Sequence, residues 1–345
     1  MTLFAFFFIL IVSDDNLKPE NIAVAVISGK EMISSRVKSQ AKSWYPTFPR
    51  VFVYSDEFPK SEVEDIKKLS PHANINFVPI INKSEHIAGS QWKHPWYRAQ
   101  PRFLPSMYDL WVQNKDSDVL WYVLGDDDTY LYIKNILRRL TKHNSSNPEV
   151  ISFFWCTWNQ ITNNMLPERD CHPFAQGGSG VLFSKTMMDM IGPKLLKCSE
   201  MYNDAEHAAS MRVSVCMERN FGYENWTKGG FIKPWKSGIH PSNPSVVISQ
   251  GNTWDAPGSF HQVDSKEMAK LKNSHIAIIQ SDGSGKNLSD IGFVDFAHFA
   301  FRSIPVELTR RRWWELYFGY RFENLASHSN PFYALSGLIS NDNGK

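Results

Sequence analysis

Leu120-Trp-Tyr-Val-Leu-Gly-Asp-Asp-Asp-Thr-Tyr130 is the stretch from which the fold can be read. An apolar run leads into Gly125 and then into three consecutive carboxylates, Asp126, Asp127 and Asp128. Such a run suits a buried strand of a mostly parallel sheet that ends at the sheet's carboxyl edge, where open α/β sheets bind their ligands. Adjacent carboxylates repel one another, and a hard divalent cation with oxygen ligands keeps them together most readily at neutral pH. A solvated turn after a strand is the plainer alternative. The helix-like segment Tyr132 to Leu140 that follows favours the α/β reading.

Upstream, Ile22 to Ile27 reads as a strand ending at Ser28-Gly29, and Glu31 to Trp44 has helical composition. Pro46 and Pro49 break that helix, and Val51 to Tyr54 makes a second strand. This is a βαβ opening, the usual start of a nucleotide-binding α/β sheet. A short helix over Glu62 to Leu69 and a third strand over Ile75 to Ile80 extend it. No Gly-x-Gly-x-x-Gly or phosphate-loop motif occurs here, which argues against a dinucleotide enzyme or a P-loop ATPase. Ala88 to Pro101 reads as a loop carrying Trp92, Lys93, His94, Trp96 and Arg98. It suits either an anionic or sugar ligand or a surface loop with snorkelling side chains. A helix over Arg102 to Gln113 then leads into the aspartate strand.

Downstream, Val150 to Trp155 reads as one strand, and a polar loop runs to Cys171. Gly177-Gly178-Ser179-Gly180 precedes a further strand and a helix over Lys185 to Ile191. Consecutive glycines let a backbone approach a ligand or take a positive φ, although a tight turn alone would explain them. Asp204, Glu206 and His207 open a helix between Cys198 and Cys216, and Val246 to Ser249 reads as a late strand. Gly283 to Lys286 reads as a flexible loop. The aromatic tail from Ile291 to Phe322 contains Arg310-Arg311-Arg312-Trp313-Trp314. It is expected to pack back on the domain as a helix or hairpin rather than to touch a membrane surface.

The 345 residues are enough for one large domain or two ordinary ones, and a net charge of +2 gives no sign of a nucleic-acid partner. Twelve tryptophans read mainly as core, with sugar stacking as the alternative for any one of them. Leu3 to Val12 is an unbroken apolar run, too short to cross a bilayer and suited to a secretory signal or a short anchor. Sequons at Asn82, Asn144, Asn225 and Asn287 are consistent with a secretory route. The four cysteines allow three disulfide connectivities, of which the sequence-local pairs Cys156 to Cys171 and Cys198 to Cys216 are preferred over reduced core thiols.

The aspartate run Trp121 to Tyr130, the Gly177 to Gly180 run, the Cys198/Cys216 pair around a short helix, and Ser259-Phe-His-Gln-Val-Asp264 occur in this order. Together they resemble glycosyltransferase family 31, especially its Fringe, core 1 β3-galactosyltransferase and plant fringe-related branches, over about residues 20 to 268. The resemblance implies a GT-A, Rossmann-like domain over 21–268. It would be preceded by a signal or anchor with a stem over 1–20 and followed by an extension over 269–345 that packs on the domain. It implies an inverting hexosyltransferase that uses a UDP-sugar and Mn2+ to form β1,3 linkages on a glycan or glycoprotein, in the Golgi or endoplasmic reticulum lumen. A type II membrane anchor at the amino end would fit that location.

Carried over by position, Asp126 and Asp128 are the outer pair of the Asp-x-Asp motif, and His261 completes the metal site. An imidazole among oxygens suits manganese better than magnesium. Asp126, Asp127, Arg102, Gly177 and Gly178 are the expected nucleotide-sugar contacts, with Arg102 meeting the diphosphate. The family's acidic base, counted back from Cys216 with Arg212 as anchor, falls on Ser210, a far weaker base than a carboxylate. A gap could bring Asp204 or Glu206 into the role, or His207 could act with one of them. Otherwise the chain binds a nucleotide-sugar or glycan without turnover. A phosphate-ester hydrolase would need a second cluster of carboxylates and histidines, which the sequence does not offer.

Overall fold

The computed structural model describes residues 16–80, 99–157, 166–167, 171–201, 209–236, 238–243, 257–273, 277–279 and 285–287. Its centre is a sheet built from β1 (Ile22–Ile27), β2 (Arg50–Ser55), β3 (Asn74–Pro79) and β4 (Trp121–Asp126), which run parallel. Two short strands elsewhere pair outside this sheet: β5 (Tyr130–Leu131) follows β4, and β7 (Phe154–Thr157) follows β6 (Val150–Ser152). β7 makes a ribbon with β8 (His172–Ala175). β9 (Val181–Ser184) lies antiparallel between β4 and β6, and β10 (Ile232–Pro234) closes that side parallel to β6. The resulting order is β10-β6-β9-β4-β1-β2-β3, a mixed and mostly parallel sheet.

Alternation along β1 explains why its sequence is apolar throughout. Ile22, Val24 and Val26 enter one core with Trp44, Trp121, Ile136 and Met268, while Ala23, Ala25 and Ile27 enter a second with Phe103, Leu110, Met187 and Val213. Helices therefore cover both faces, and neither face of the strand meets water. Trp44, Trp121, Trp226 and Trp235 are buried in these cores, as a core role for tryptophan requires, whereas Trp155 is exposed.

Three local expectations are corrected. The segment from Glu31 to Trp44 is helical but irregular: a 3-10 turn at Lys30–Met32, a π turn at Ile33–Val37 and an α-helix only over Lys38–Ser43. Val150 to Trp155 is not one strand. Ser152 ends in the large sheet with its hydroxyl on the Gly180 carbonyl, and the chain then turns into the β7–β8 ribbon stapled by Cys156–Cys171. An apolar run cannot distinguish one strand from two that belong to different sheets. Gly285 and Lys286, expected in a loop over Gly283 to Lys286, lie in a strand, Gly285–Asn287, paired antiparallel with Ala277–Ile279. Val246 to Ser249, the Arg310 to Trp314 cluster and the apolar run Leu3 to Val12 lie outside the described residues. Among the described residues no helix is long and apolar enough to cross a membrane.

Candidate functional site

The aspartate turn is built by the sheet and held by a buried amide. Asp126 closes the β1–β4 ladder opposite Ile27, and the Asp127 amide donates to the Ile27 carbonyl at 3.1 Å. Gln40 then donates to the Asp126 and Thr129 carbonyls at 3.0 and 2.9 Å, and Trp44 donates its indole N–H to Thr129 at 3.0 Å. Thr129 in turn accepts from the Asp126 amide at 3.1 Å and donates its hydroxyl to the Gly178 carbonyl. The carboxylates thus leave a backbone fixed on both sides.

His261 reaches them through a second, smaller sheet. β11 (Ile239–His240) and β12 (Ser259–Phe260) are parallel, and β12 pairs antiparallel with β5, matching Ser259 with Leu131 and Phe260 with Tyr130. The Val263 amide donates to the Asp128 carbonyl at 2.9 Å, and the His261 amide donates to His240 at 3.1 Å. Nδ1 of His261 faces the Pro241 carbonyl at 3.3 Å. This contact turns Nε2 toward the carboxylates, 3.1 Å from Asp128 Oδ1 and 3.9 Å from Asp126 Oδ2.

Charge is concentrated at this point. Burial first, with the like charges of Asp128 and Asp127 adding, pushes the Asp126 carboxyl up to about 7 against the pull of His261 and Arg36. Asp127 is raised by burial and by Asp128, with Arg36 and Ser28 opposing. Burial also disfavours the charged form of Asp128, but His261 and Arg36 outweigh it and hold that carboxyl below its ordinary value. Burial pulls His261 down, and the neighbouring Asp128 and Asp126 more than reverse this.

Ligand atoms of Asp126, Asp128 and His261 lie within 4.8 Å of one another. Among the described residues no hydrogen bond of good geometry reaches the buried Asp128 Oδ1, although His261 Nε2 stands close by. A buried carboxylate oxygen left this way is costly without a cation, so the residues present fit a divalent ion. Two carboxylates and one imidazole form a donor set that manganese accepts.

A family model described as Fringe-like matches residues 17–231. The chain belongs to the Fringe-like family. It is therefore a glycosyltransferase by family, and its mixed sheet is the GT-A, Rossmann-like arrangement expected from the sequence. Solved structures similar to this Fringe-like chain include the galactosyltransferase LgtC in complex with donor and acceptor sugar analogs, at 10% identity, 76% of this chain, 98% of that chain and a TM-score of 0.45. Core-mannan synthase A from Aspergillus fumigatus, in its Mn/GDP form, is similar at 9% identity over 62% of this chain and 72% of that chain, with a TM-score of 0.35. The glycosyltransferase GlyE of Streptococcus pneumoniae is similar at 11% identity over 70% of this chain and 55% of that chain, with a TM-score of 0.38.

Other residues singled out in this Fringe-like sequence make protein contacts of their own. Asp127 is turned back into the protein, where it accepts from Ser28 Oγ at 2.7 Å and from Arg36 at 2.9 Å. Arg102 is buried, donates to the Ser28 carbonyl at 2.6 Å and pairs with Asp56 at 3.2 Å, so it ties the ends of β1 and β2 together. Room at Gly178 is taken by protein: an added Cβ would lie 2.3 Å from His261 Nε2. At Gly177 the neighbours would be Phe103 at 3.0 Å and Ser210 Cβ at 3.1 Å, which sets Ser210 beside the glycine turn at the start of the Ala209–Phe221 helix.

Asp204, Glu206 and His207 lie outside the described residues, as do Trp92, Lys93, His94, Trp96 and Arg98. Both anticipated disulfides form, Cys156–Cys171 and Cys198–Cys216, leaving no free cysteine. Sequence reasoning passed over Arg36, the cation that touches the carboxylates, and Gln40, which holds their turn. Neither carries a local signal, since each acts on residues about one sheet crossover away.

Proposed function

We propose that the chain is an inverting, divalent-metal-dependent hexosyltransferase. It moves a hexose or N-acetylhexosamine from a UDP-sugar to a hydroxyl of a glycan or glycoprotein and forms a β1,3 linkage. The observation that supports this best is the convergence of Asp126, Asp128 and His261 at the carboxyl edge of the sheet. These three residues would hold Mn2+, and the ion would supply Lewis-acid stabilisation of the departing diphosphate. The Gln40 and Thr129 hydrogen bonds hold the two carboxylates in register, and the Pro241 carbonyl keeps the imidazole in one tautomer. Gly178 leaves the space in which that ring lies.

Asp204 or Glu206, alone or with His207, supplies the base that takes the acceptor proton. An ionised carboxylate is far better suited to this than the Ser210 hydroxyl. A lumenal location in the Golgi or endoplasmic reticulum accords with the two disulfides. A second reading, binding of nucleotide-sugar or glycan without turnover, is favoured by one observation: the serine where the family carries an acid stands beside the glycine turn.

The test is a screen of UDP-sugars with Mn2+ that follows UDP release with and without simple glycoside acceptors, beside direct UDP binding, on the parent and Asp128→Ala. Acceptor-dependent release from one donor, abolished in Asp128→Ala, is expected. Undiminished Mn2+-dependent UDP binding by a folded Asp128→Ala would refute the metal assignment. Tight binding with no release from any donor would favour the second reading.

A further inference from the structure

Arg36 stands on the irregular π turn Ile33–Val37, where the expected regular helix does not form. One nitrogen, Nη1, does all of its recorded bonding: it lies 2.9 Å from Asp127 Oδ1 and 3.1 Å from Asp128 Oδ2. Among the described residues Nε and Nη2 have no partner. Its side chain is 41% exposed, while those of Asp127 and Asp128 are 8% and 15% exposed. The guanidinium therefore presents open N–H donors to solvent at the mouth of the carboxylate cluster.

Its two partners are not equivalent. Asp127 is pinned from behind by the Ser28 hydroxyl and takes no part in the cation cluster. Asp128 is shared, one oxygen facing Arg36 and the other facing His261. A divalent ion on Oδ1 of Asp128 must share that carboxylate with Arg36 on Oδ2 and tolerates its positive charge poorly at that distance. A diphosphate offers Arg36 an alternative, because the planar fork matches phosphate oxygens and its unused donors already point outward.

We propose that Arg36 couples the two ligands: pivoting on Asp127, it releases Asp128 to the divalent cation and takes an oxygen of the nucleoside diphosphate. The inference rests on the function proposed above. Because coupling between binding sites is reciprocal, metal then tightens nucleotide binding and nucleotide tightens metal binding by the same factor, in excess of any direct metal–phosphate bond. Without nucleotide, Arg36 weakens metal binding. With nucleotide, it strengthens the joint complex.

The experiment is calorimetric titration of Mn2+ alone, UDP alone and each in the presence of the other, on the parent, Arg36→Gln and Arg36→Lys, with thermal unfolding as the check on fold. The parent is expected to show a coupling factor that falls at least about fivefold in Arg36→Gln. The same variant should bind Mn2+ alone more tightly than the parent. Arg36→Lys keeps the charge and loses the fork, so its coupling also falls while its Mn2+ affinity stays near the parent's. If Arg36→Gln does not fold, the lysine variant alone decides. Coupling unchanged in a folded variant, with a parent that binds both ligands, overturns this inference and leaves the proposed function standing. A parent that binds neither ligand overturns both.

Discussion

Replacing Gly178 by alanine tests the site with a single methyl group. The Cβ would sit 2.3, 2.4 and 2.8 Å from Nε2, Cε1 and Cδ2 of His261, where ordinary contact begins at 3.4 Å, and its three nearest neighbours all belong to that ring. The ring must retreat by about 1 Å, because the backbone on either side is fixed by the His240 and Asp128 carbonyls. Gly178 has no positive φ, so the backbone accepts alanine without strain and the contact is the whole perturbation. Overpacking of this kind costs about 1–3 kcal/mol of stability, and displacement of a ligand ring lowers metal affinity about 10- to 100-fold. Mn2+ titration and thermal unfolding read the two effects separately. In a His261→Ala background the added methyl meets an emptied space, so Gly178→Ala should change Mn2+ affinity little further. Parent-like Mn2+ affinity in Gly178→Ala, or full additivity with His261→Ala, would refute the reasoning.

Gln40→Met keeps the length of a fully buried side chain but removes its amide. The Asp126 and Thr129 carbonyls retain other donors, whereas the buried Tyr45 hydroxyl loses the acceptor it holds at 2.9 Å. A loss of about 1–3 kcal/mol is expected in denaturant unfolding, and a variant as stable as the parent would contradict it. Burial opposes ionisation of Asp56, but Arg102 and the Ser55 hydroxyl outweigh it and hold the carboxyl below its ordinary value. The stability this pair contributes is therefore present above the ordinary carboxylate range and is lost as pH falls toward the depressed folded-state value. Unfolding of Asp56→Asn followed from pH 7 downward should lack that acid-side component. An acid limb identical to the parent's would show that the pair contributes nothing.

The parts of the fold that were legible in the sequence are those whose causes are local. Ile22 to Ile27 and Trp121 to Leu124 are apolar because both faces of each strand are covered, and a period-free run records that directly. The cysteine pairs were legible because each loop closes over a short stretch, 15 and 18 residues. What failed to show are residues whose meaning is set by partners far along the chain. Arg102, expected to meet a diphosphate, also donates to the Ser28 carbonyl and pairs with Asp56 across the sheet edge, partners that no local pattern announces. Gly178 stands out in the sequence for its bare backbone, and the imidazole that lies against it comes from His261, just after a strand that arrives much later. Arg36 precedes its carboxylate partner by 91 residues, and a half-exposed arginine on an irregular turn looks like any other.

The pairing of Phe260 with Tyr130 has a consequence for how the protein is made. Carboxylates and imidazole belong to segments synthesised at very different times, and the imidazole lies beyond residue 231, where the family match ends. Long-range pairings of this kind form slowly, because loop closure must precede the contact. A nascent chain can pair β1 with β4 and set out all three aspartates before His261 has left the ribosome, but the core that holds Trp121 also needs Phe260, Val263 and Met268. Folding and competence are then tied to the same late segment: a chain arrested or cleaved before Ser259 lacks both the third ligand and the apolar residues that close the core over β1.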